Sequence, residues 1–242
     1  NPDAVVIVTG CYAQVSQEEV KEVGGVDYIV GNADKNAILN LVLRGKQDKS
    51  EIIVESPDRN SSLNLFARGS SERTRAFLKI QDGCNRYCSY CIIPYARGKN
   101  RSLPVDGVMR EIELLTQNNY REIVLTGIHL GSYRGDTVPT DITTLVKEID
   151  RRDYPCRFRI SSLDPNEVTD ELIEIMSSSK SICNHLHLAV QSCDDDILKN
   201  MNRHHYTKKV IVEKIKKVYE SIKDVSIGVD ILTGFPGETD PQ

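Results

Sequence analysis

The chain has 242 residues, 39% hydrophobic and 27% charged, with a formal net charge of −4. That length holds one large domain or one domain plus part of another, and the apolar fraction is ample for a buried core, so wholesale disorder is excluded. No stretch approaches the roughly 18 uninterrupted apolar residues of a membrane span, so no membrane partner is expected, and the acidic balance argues against nucleic-acid binding over the whole surface. The chain opens Asn1-Pro2-Asp3 with no export signal and enters a strand-like stretch at once, which reads as a piece of a longer protein.

In chain order, Ala4–Thr9 reads as a short buried strand. A helix follows, with Ser16 as its N-cap and Glu19 at the capping-box position. Asp27–Val30 is a second strand, and Ala33–Leu43 has helical apolar spacing that ends at Gly45, a C-cap signal. Residues 1–46 are therefore a small α/β portion, and 47–75, rich in Ser, Asn, Asp and Arg, reads as a linker. Beyond it, strands are expected at Ala76–Gln81, Glu122–Thr126, Arg157–Ser161, His185–Ala189 and Ser226–Leu232. Helices are expected between them at Val105–Gln117, Asp141–Asp150, Glu167–Ser177, Asp194–Met201 and Lys208–Ser221. Strands separated by helices of this length imply right-handed βαβ units and a parallel sheet, so 76–242 is read as a (β/α) barrel or an open portion of one. In such a fold reactive groups sit in loops after the strand C-termini.

There are seven cysteines. An odd number without an export signal fits reduced thiols and a cytoplasmic protein better than a disulfide framework. Three are crowded into Cys84-Asn-Arg-Tyr-Cys88-Ser-Tyr-Cys91, directly after the first barrel strand. Thiolates bind soft metal centres. Structural zinc takes four ligands, and no fourth Cys or His is close in sequence. A redox pair at Cys88 and Cys91 leaves Cys84 without a role. Three thiolates in one tight loop suit an iron–sulfur cube whose fourth iron has no protein ligand, an open position for a substrate or cofactor.

These residues make the chain recognisable. Lys79-Ile-Gln-Asp-Gly-Cys84-Asn followed by Tyr90-Cys91-Ile-Ile-Pro-Tyr-Ala-Arg97-Gly98 resembles the S-adenosylmethionine (SAM) radical enzymes, and within them the methylthiotransferases. Val8-Thr-Gly-Cys11-Tyr-Ala-Gln14, Leu125-Thr-Gly-Ile-His-Leu-Gly-Ser-Tyr133, Leu186-His-Leu-Ala-Val-Gln191-Ser192 and Asp230-Ile-Leu-Thr-Gly-Phe-Pro-Gly-Glu-Thr239 extend the resemblance over nearly the whole chain. It is similar above all to the group that converts N6-threonylcarbamoyladenosine in tRNA to its 2-methylthio derivative. The alternatives are isopentenyladenosine in tRNA or a ribosomal protein as substrate, and, outside the class, a non-catalytic metal-binding or electron-transfer module.

The resemblance implies that 76–242 is a partial radical-SAM barrel ending before its last strand, in which Cys84, Cys88 and Cys91 hold a 4Fe–4S cluster, whose free iron chelates SAM and whose electron cleaves it to a hydrogen-abstracting radical. It also implies a second 4Fe–4S cluster in the full-length protein, with Cys11 as one ligand and its partners upstream of Asn1. tRNA as substrate and an electron donor such as flavodoxin or ferredoxin follow from the same likeness.

For SAM itself, Gly127 and Gly131 would let backbone approach its amino-acid end, or form an ordinary tight turn. Gln191 and Ser192 would contact the ribose, or cap the strand end, and Gly234 would line the adenine, or turn the chain. His185 and His187 share one side of a strand, as a hydrogen-bonded pair or as metal ligands. Cys156 and Cys183 are expected to pack as small hydrophobes. The basic run from Lys199 to Lys217 is either a phosphate-contacting face or a solvated helix, and Arg97, Lys99 and Arg101 stand closer to the cluster loop. Cys193 replaces the family's usual Gly after Gln-Ser, and Leu103 stands where an Arg commonly precedes Pro104.

Overall fold

The computed structural model describes residues 1, 3–57, 74–135 and 140–242. These fall into two compact units: residues up to 57 together with Gly83–Lys99, and 74–82 together with Asn100–Gln242. Most of the expected linker, 58–73, lies outside the described residues.

In the first unit β1 (Ile7–Thr9), α1 (Cys11–Val15), α2 (Gln17–Glu22), β2 (Tyr28–Val30), α3 (Ile38–Arg44) and β3 (Glu51–Ile53) form a parallel sheet in the order β1-β2-β3 with short helices. β2 is fully buried, as expected of a strand with neighbours on both edges and helices against its faces. β3 was not foreseen; it lies in the stretch read as linker, where Glu51-Ile-Ile53 is too short to show a period. Asp27 ties this unit together, its carboxylate accepting the amides of Val6 at 2.7 Å and Gln47 at 2.8 Å. Those two bonds hold its carboxyl below its usual value. The expected capping box at Ser16 is not made: the Ser16 amide donates to the Tyr12 carbonyl as the C-cap of α1, and the Glu19 carboxylate accepts the Tyr12 hydroxyl. Gly45 ends α3 at φ 81° as anticipated. The helix α4 (Ile93–Arg97), which follows the cysteine loop, belongs to this unit and packs on α1.

In the second unit β4 (Arg75–Lys79), β7 (Glu122–Thr126), β8 (Arg157–Ile160), β9 (Ser162–Leu163), β10 (His185–Gln191) and β11 (Ser226–Ile231) run parallel. The pairing order is β4-β7-β8 and β9-β10-β11, and β8 and β9 are one chain stretch broken only at Ser161. A small antiparallel pair, β5 (Gln81–Asp82) with β6 (Arg101–Ser102), brackets the cysteine loop in sequence. The crossovers are α5 (Val105–Gln117), α6 (Ile142–Arg151), α7 (Asp170–Ser178), and α8 (Asp195–Asn200) with α9 (Lys208–Ser221). This is the expected α/β architecture, a partial barrel of five parallel strand stretches in chain order.

One face of each strand enters the core. Leu78, Ile123, Leu125, Phe158, Ile160, Leu186 and Leu188 are at most 1% exposed and cluster with Ile112, Leu145, Ile149, Leu172 and Ile211 from the helices. Helix starts carry the oxygens that the orphan amides require: Asp141, Thr169, Asp194 and Thr207 each accept an amide from the first turn. Within α5, Ile112 is fully buried and Leu114 is 52% exposed. Ile112→Ala should therefore destabilise the protein by about 2–5 kcal/mol, and Leu114→Ala by roughly 0.5 kcal/mol or less, read from denaturant midpoints.

Candidate cluster loop and nucleoside pocket

The cysteine loop leaves β5 through Gly83, at φ 73°. A Cβ there would lie 2.1 Å from the Lys99 carbonyl oxygen, so only glycine permits the loop to close back on residues 98–99. The Cys84 amide then donates to the Gly98 carbonyl at 3.1 Å, the Arg86 amide reaches the Cys84 sulfur at 3.4 Å, and the Cys91 amide turns onto the Cys88 carbonyl at 2.9 Å. Tyr87, at φ 52° within the loop, and Tyr95 on α4 stack edge to face with centroids 5.8 Å apart, tying the loop to the helix that follows it. All seven cysteines are free thiols. Three thiols on one loop, with a backbone amide already directed at a sulfur, form a soft donor set that fits an iron–sulfur centre.

In the same unit Cys11 begins α1, and Asn32 donates from Nδ2 to its sulfur at 3.8 Å and to the Ala96 carbonyl at 2.8 Å. Cys11 is thus tied to the helix that follows the cysteine loop. Cys156 packs in the hydrophobic core, and burial pushes its thiol up to about 11; Cys183 is half-buried outside that core, with its thiol also raised by burial.

At the ends of β10 and β11 lies a cavity of about 390 Å³, lined by Ser192, Cys193, Ile231 and the loop 233–242, Gly234 included. Two of the expected SAM residues, Ser192 and Gly234, meet here. The Ser192 hydroxyl accepts the Asp194 amide at 3.1 Å, so it also caps the strand end. Gly234, at φ 75°, has nothing within 4 Å of where a side chain would start. Gln191 is at φ 64°, and its carbonyl takes the Leu232 amide at 2.8 Å, linking the two strand ends where their register shifts. Cys193 is exposed on the cavity wall.

Gly127 and Gly131 are required by the protein itself. A Cβ on Gly127 would meet the Gln81 side chain at 2.8 Å, and one on Gly131 the Glu167 carboxylate at 1.9 Å. Both neighbours belong to a polar network that the sequence reading missed. Gln81 accepts the His129 amide at 2.7 Å, and His129 Nε2 meets Glu167 at 2.5 Å and Asp164 at 3.7 Å. Asp164 also receives the Arg203 guanidinium and stands 2.8 Å from His205 Nε2. Burial alone would raise the Asp164 carboxyl, but the His205 hydrogen bond and the nearby cations outweigh it and hold it below its usual range. His129, Asp164 and Glu167 bring three metal-ligand atoms within 4.8 Å, yet Arg203 already neutralises Asp164, so the group is satisfied as a hydrogen-bonded network. The available signal was Asp164-Pro-Asn-Glu167, a capping box with Pro at its first position, which does form.

The basic run is matched in part: Lys214 and Lys217 pair with Asp170, Lys209 with Glu213, Lys216 with Glu220, and Arg203 is buried. His187 pairs with Asp230 at 3.0 Å, whereas His185 Nδ1 is buried with no hydrogen-bond partner. No helix among the described residues is long and apolar enough to cross a membrane.

Residues 78–242 match the Radical SAM superfamily. The chain is 38% identical to a threonylcarbamoyladenosine tRNA methylthiotransferase (MtaB) of Bacillus subtilis, covering all of this chain and 54% of that protein. It is 37% identical to the enzyme of that name from Aquifex aeolicus, over 99% of this chain and 58% of that one. A tRNA-2-methylthio-N(6)-dimethylallyladenosine synthase of Thermodesulfovibrio yellowstonii is 35% identical over 98% of this chain and 54% of its own length. The chain thus spans little more than half of these relatives. Among solved structures, the radical SAM methyltransferase TsrM of Kitasatospora setae, with cobalamin and a [4Fe-4S] cluster bound, aligns at TM-score 0.71 and 17% identity, over 98% of this chain and 52% of that one, a likeness of fold.

Asp164→Asn should cost about 3–5 kcal/mol at pH 7, because it leaves Arg203 buried without its countercharge. The native carboxyl titrates below its unfolded value, so its contribution is present above about pH 4 and is lost as pH falls through the lower native value. The gap between wild type and variant in denaturant midpoint should accordingly narrow in acid.

Proposed function

The chain belongs to the Radical SAM superfamily, and from that premise we propose that the protein it comes from is a radical SAM tRNA methylthiotransferase acting on N6-threonylcarbamoyladenosine. The observation that carries the reading is the three-thiol loop of Cys84, Cys88 and Cys91, closed by Gly83 directly after the first strands of a parallel α/β array. The named relatives support the substrate, two of the three described being threonylcarbamoyladenosine enzymes. The dimethylallyladenosine synthase, at a similar identity, supplies the second reading.

In this proposal Cys84, Cys88 and Cys91 bind a 4Fe–4S cluster. When bound with SAM, such a cluster provides one-electron cleavage of the sulfonium and hydrogen abstraction from an unactivated carbon. The chain's own residues bind and position. Ser192 and Gly234 line the pocket that takes the nucleoside end of SAM, with Gly234 leaving its wall open. Gln191 bonds the two strand ends that frame that pocket, and Gly127 and Gly131 let Gln81 and Glu167 pack tightly beneath the loop after β7. Cys11 is a ligand of a second cluster whose other ligands the full-length protein supplies. Residues 1–46 are the end of a small α/β domain, 47–75 connect it, with β3 pairing back onto its sheet, and 76–242 are the partial barrel. The electron donor is a flavodoxin or a ferredoxin, and the setting is cytoplasmic.

Anaerobic iron–sulfur reconstitution of the full-length protein should give a cubane signal in electron paramagnetic resonance that shifts on adding SAM. Replacing Cys84, Cys88 or Cys91 by Ala should abolish that shift and bring 2-methylthio product, measured by mass spectrometry of digested tRNA, below detection. A cluster indifferent to SAM would sink the radical reading, and product formed on dimethylallyladenosine tRNA alone would select the second substrate.

A further inference from the structure

The strands of the second unit have two faces. The one packed on the helices is apolar throughout. The opposite face carries Arg75, Phe77 and Lys79 on β4; Glu122, Val124 and Thr126 on β7; Arg157 and Arg159 on β8; and His185 and His187 on β10. Strand alternation dictates this division, and burial follows it: β10 reads half-buried and buried in strict turn. An inner face with these residues is not a folding core. It holds charge, one exposed aromatic ring and buried polar atoms without partners, namely Ser161 Oγ and His185 Nδ1.

Three features of this face bear on what it binds. Phe77 is 57% exposed and registers with Val124, which registers with Arg159, so the backbones that carry ring and guanidinium stand two strand spacings apart, about 10 Å, across a buried valine. Glu122 is shared by three arginines, with Arg75 at 2.6 Å and Arg157 at 2.8 Å, while Arg159 reaches it only through Nε at 3.3 Å. Positive charge is thus in excess, and the two terminal Nη groups of Arg159 make no hydrogen bond among the described residues. Burial and the neighbouring Arg159 and His187 charges lower the His185 pKa, which favours the neutral ring beside the guanidinium.

We infer that Arg159 is a specificity-determining residue that holds the carboxylate of the threonylcarbamoyl group, with the adenine ring lying on Phe77. The inference rests on the substrate proposed above, whose N6 side chain ends in a carboxylate and a hydroxyl. Charge complementarity selects this occupant: a planar base suits an exposed ring, and an acid about one base-width away suits a recessed fork of free N–H donors. A tRNA backbone phosphate does not explain Phe77, and the apolar dimethylallyl group has no use for Arg159.

The test uses the full-length protein and anticodon stem–loop RNAs carrying threonylcarbamoyladenosine as the free acid or as its methyl ester, with dissociation constants from fluorescence anisotropy. Wild type should prefer the acid by about 10- to 100-fold, the worth of a charge-assisted bond. Arg159→Met should erase that preference and Arg159→Lys should keep part of it. Arg157→Met, which breaks the same Glu122 network from the strand end, should leave it intact. Equal binding of acid and ester by wild type, or a preference that survives Arg159→Met, overturns the inference and leaves the face to another segment of the protein. Failure of wild type to bind either threonylcarbamoyl RNA while it binds the dimethylallyl one overturns the substrate reading instead, and this inference with it.

Discussion

The second unit depends on a buried carboxylate that is kept ionised. Asp164 lies just past β9, and only paired donors make a charge tolerable at that depth. Arg203 supplies the countercharge from the stretch after α8, and its guanidinium also donates to the Ala189 carbonyl at 3.0 Å and the Tyr206 hydroxyl at 2.6 Å. Tyr206 in turn donates to the carbonyls at the end of β10. His129 reaches the same centre from the loop after β7. One polar network centred on Asp164 therefore ties together three strand ends, and those ends carry the residues proposed to meet the cofactor.

That arrangement explains the glycines around it. Gly127 and Gly131 resemble ligand-approach positions in the sequence, because glycine after a parallel strand has that use. Here the space beside them is filled by Gln81 and Glu167, members of the polar network. Gly83 and Gly234 differ: the first is forced by the closure of the cysteine loop, and the second faces open space in a cavity. Four glycines of similar sequence context thus do three kinds of work.

The same economy governs charge. The basic run on α9 is largely matched by carboxylates on α7 and on its own helix, and such exposed pairs contribute little to stability while cancelling the local field. Excess positive charge instead sits on the inner face of the strands, where three arginines share the single carboxylate of Glu122. Arg203, which counts toward that run in the sequence, is buried and serves Asp164 instead.

Local pattern carried much of this protein. The bounds of α5 and α9, the five barrel strand stretches, the C-cap at Gly45 and the three-thiol loop were legible because period, turn chemistry and ligand spacing are properties of neighbouring residues. The strand β3 escaped because three residues cannot display a period, and the Ser16 capping box failed because Tyr12, one turn earlier, takes both the Ser16 amide and the Glu19 carboxylate. The Asp164 network, the arginines gathered on Glu122 and the pocket shared by Ser192 and Gly234 were decided only by tertiary structure. Each joins residues many positions apart, and the energy of a buried charge depends on which partners the fold brings within hydrogen-bond reach, which no local window contains.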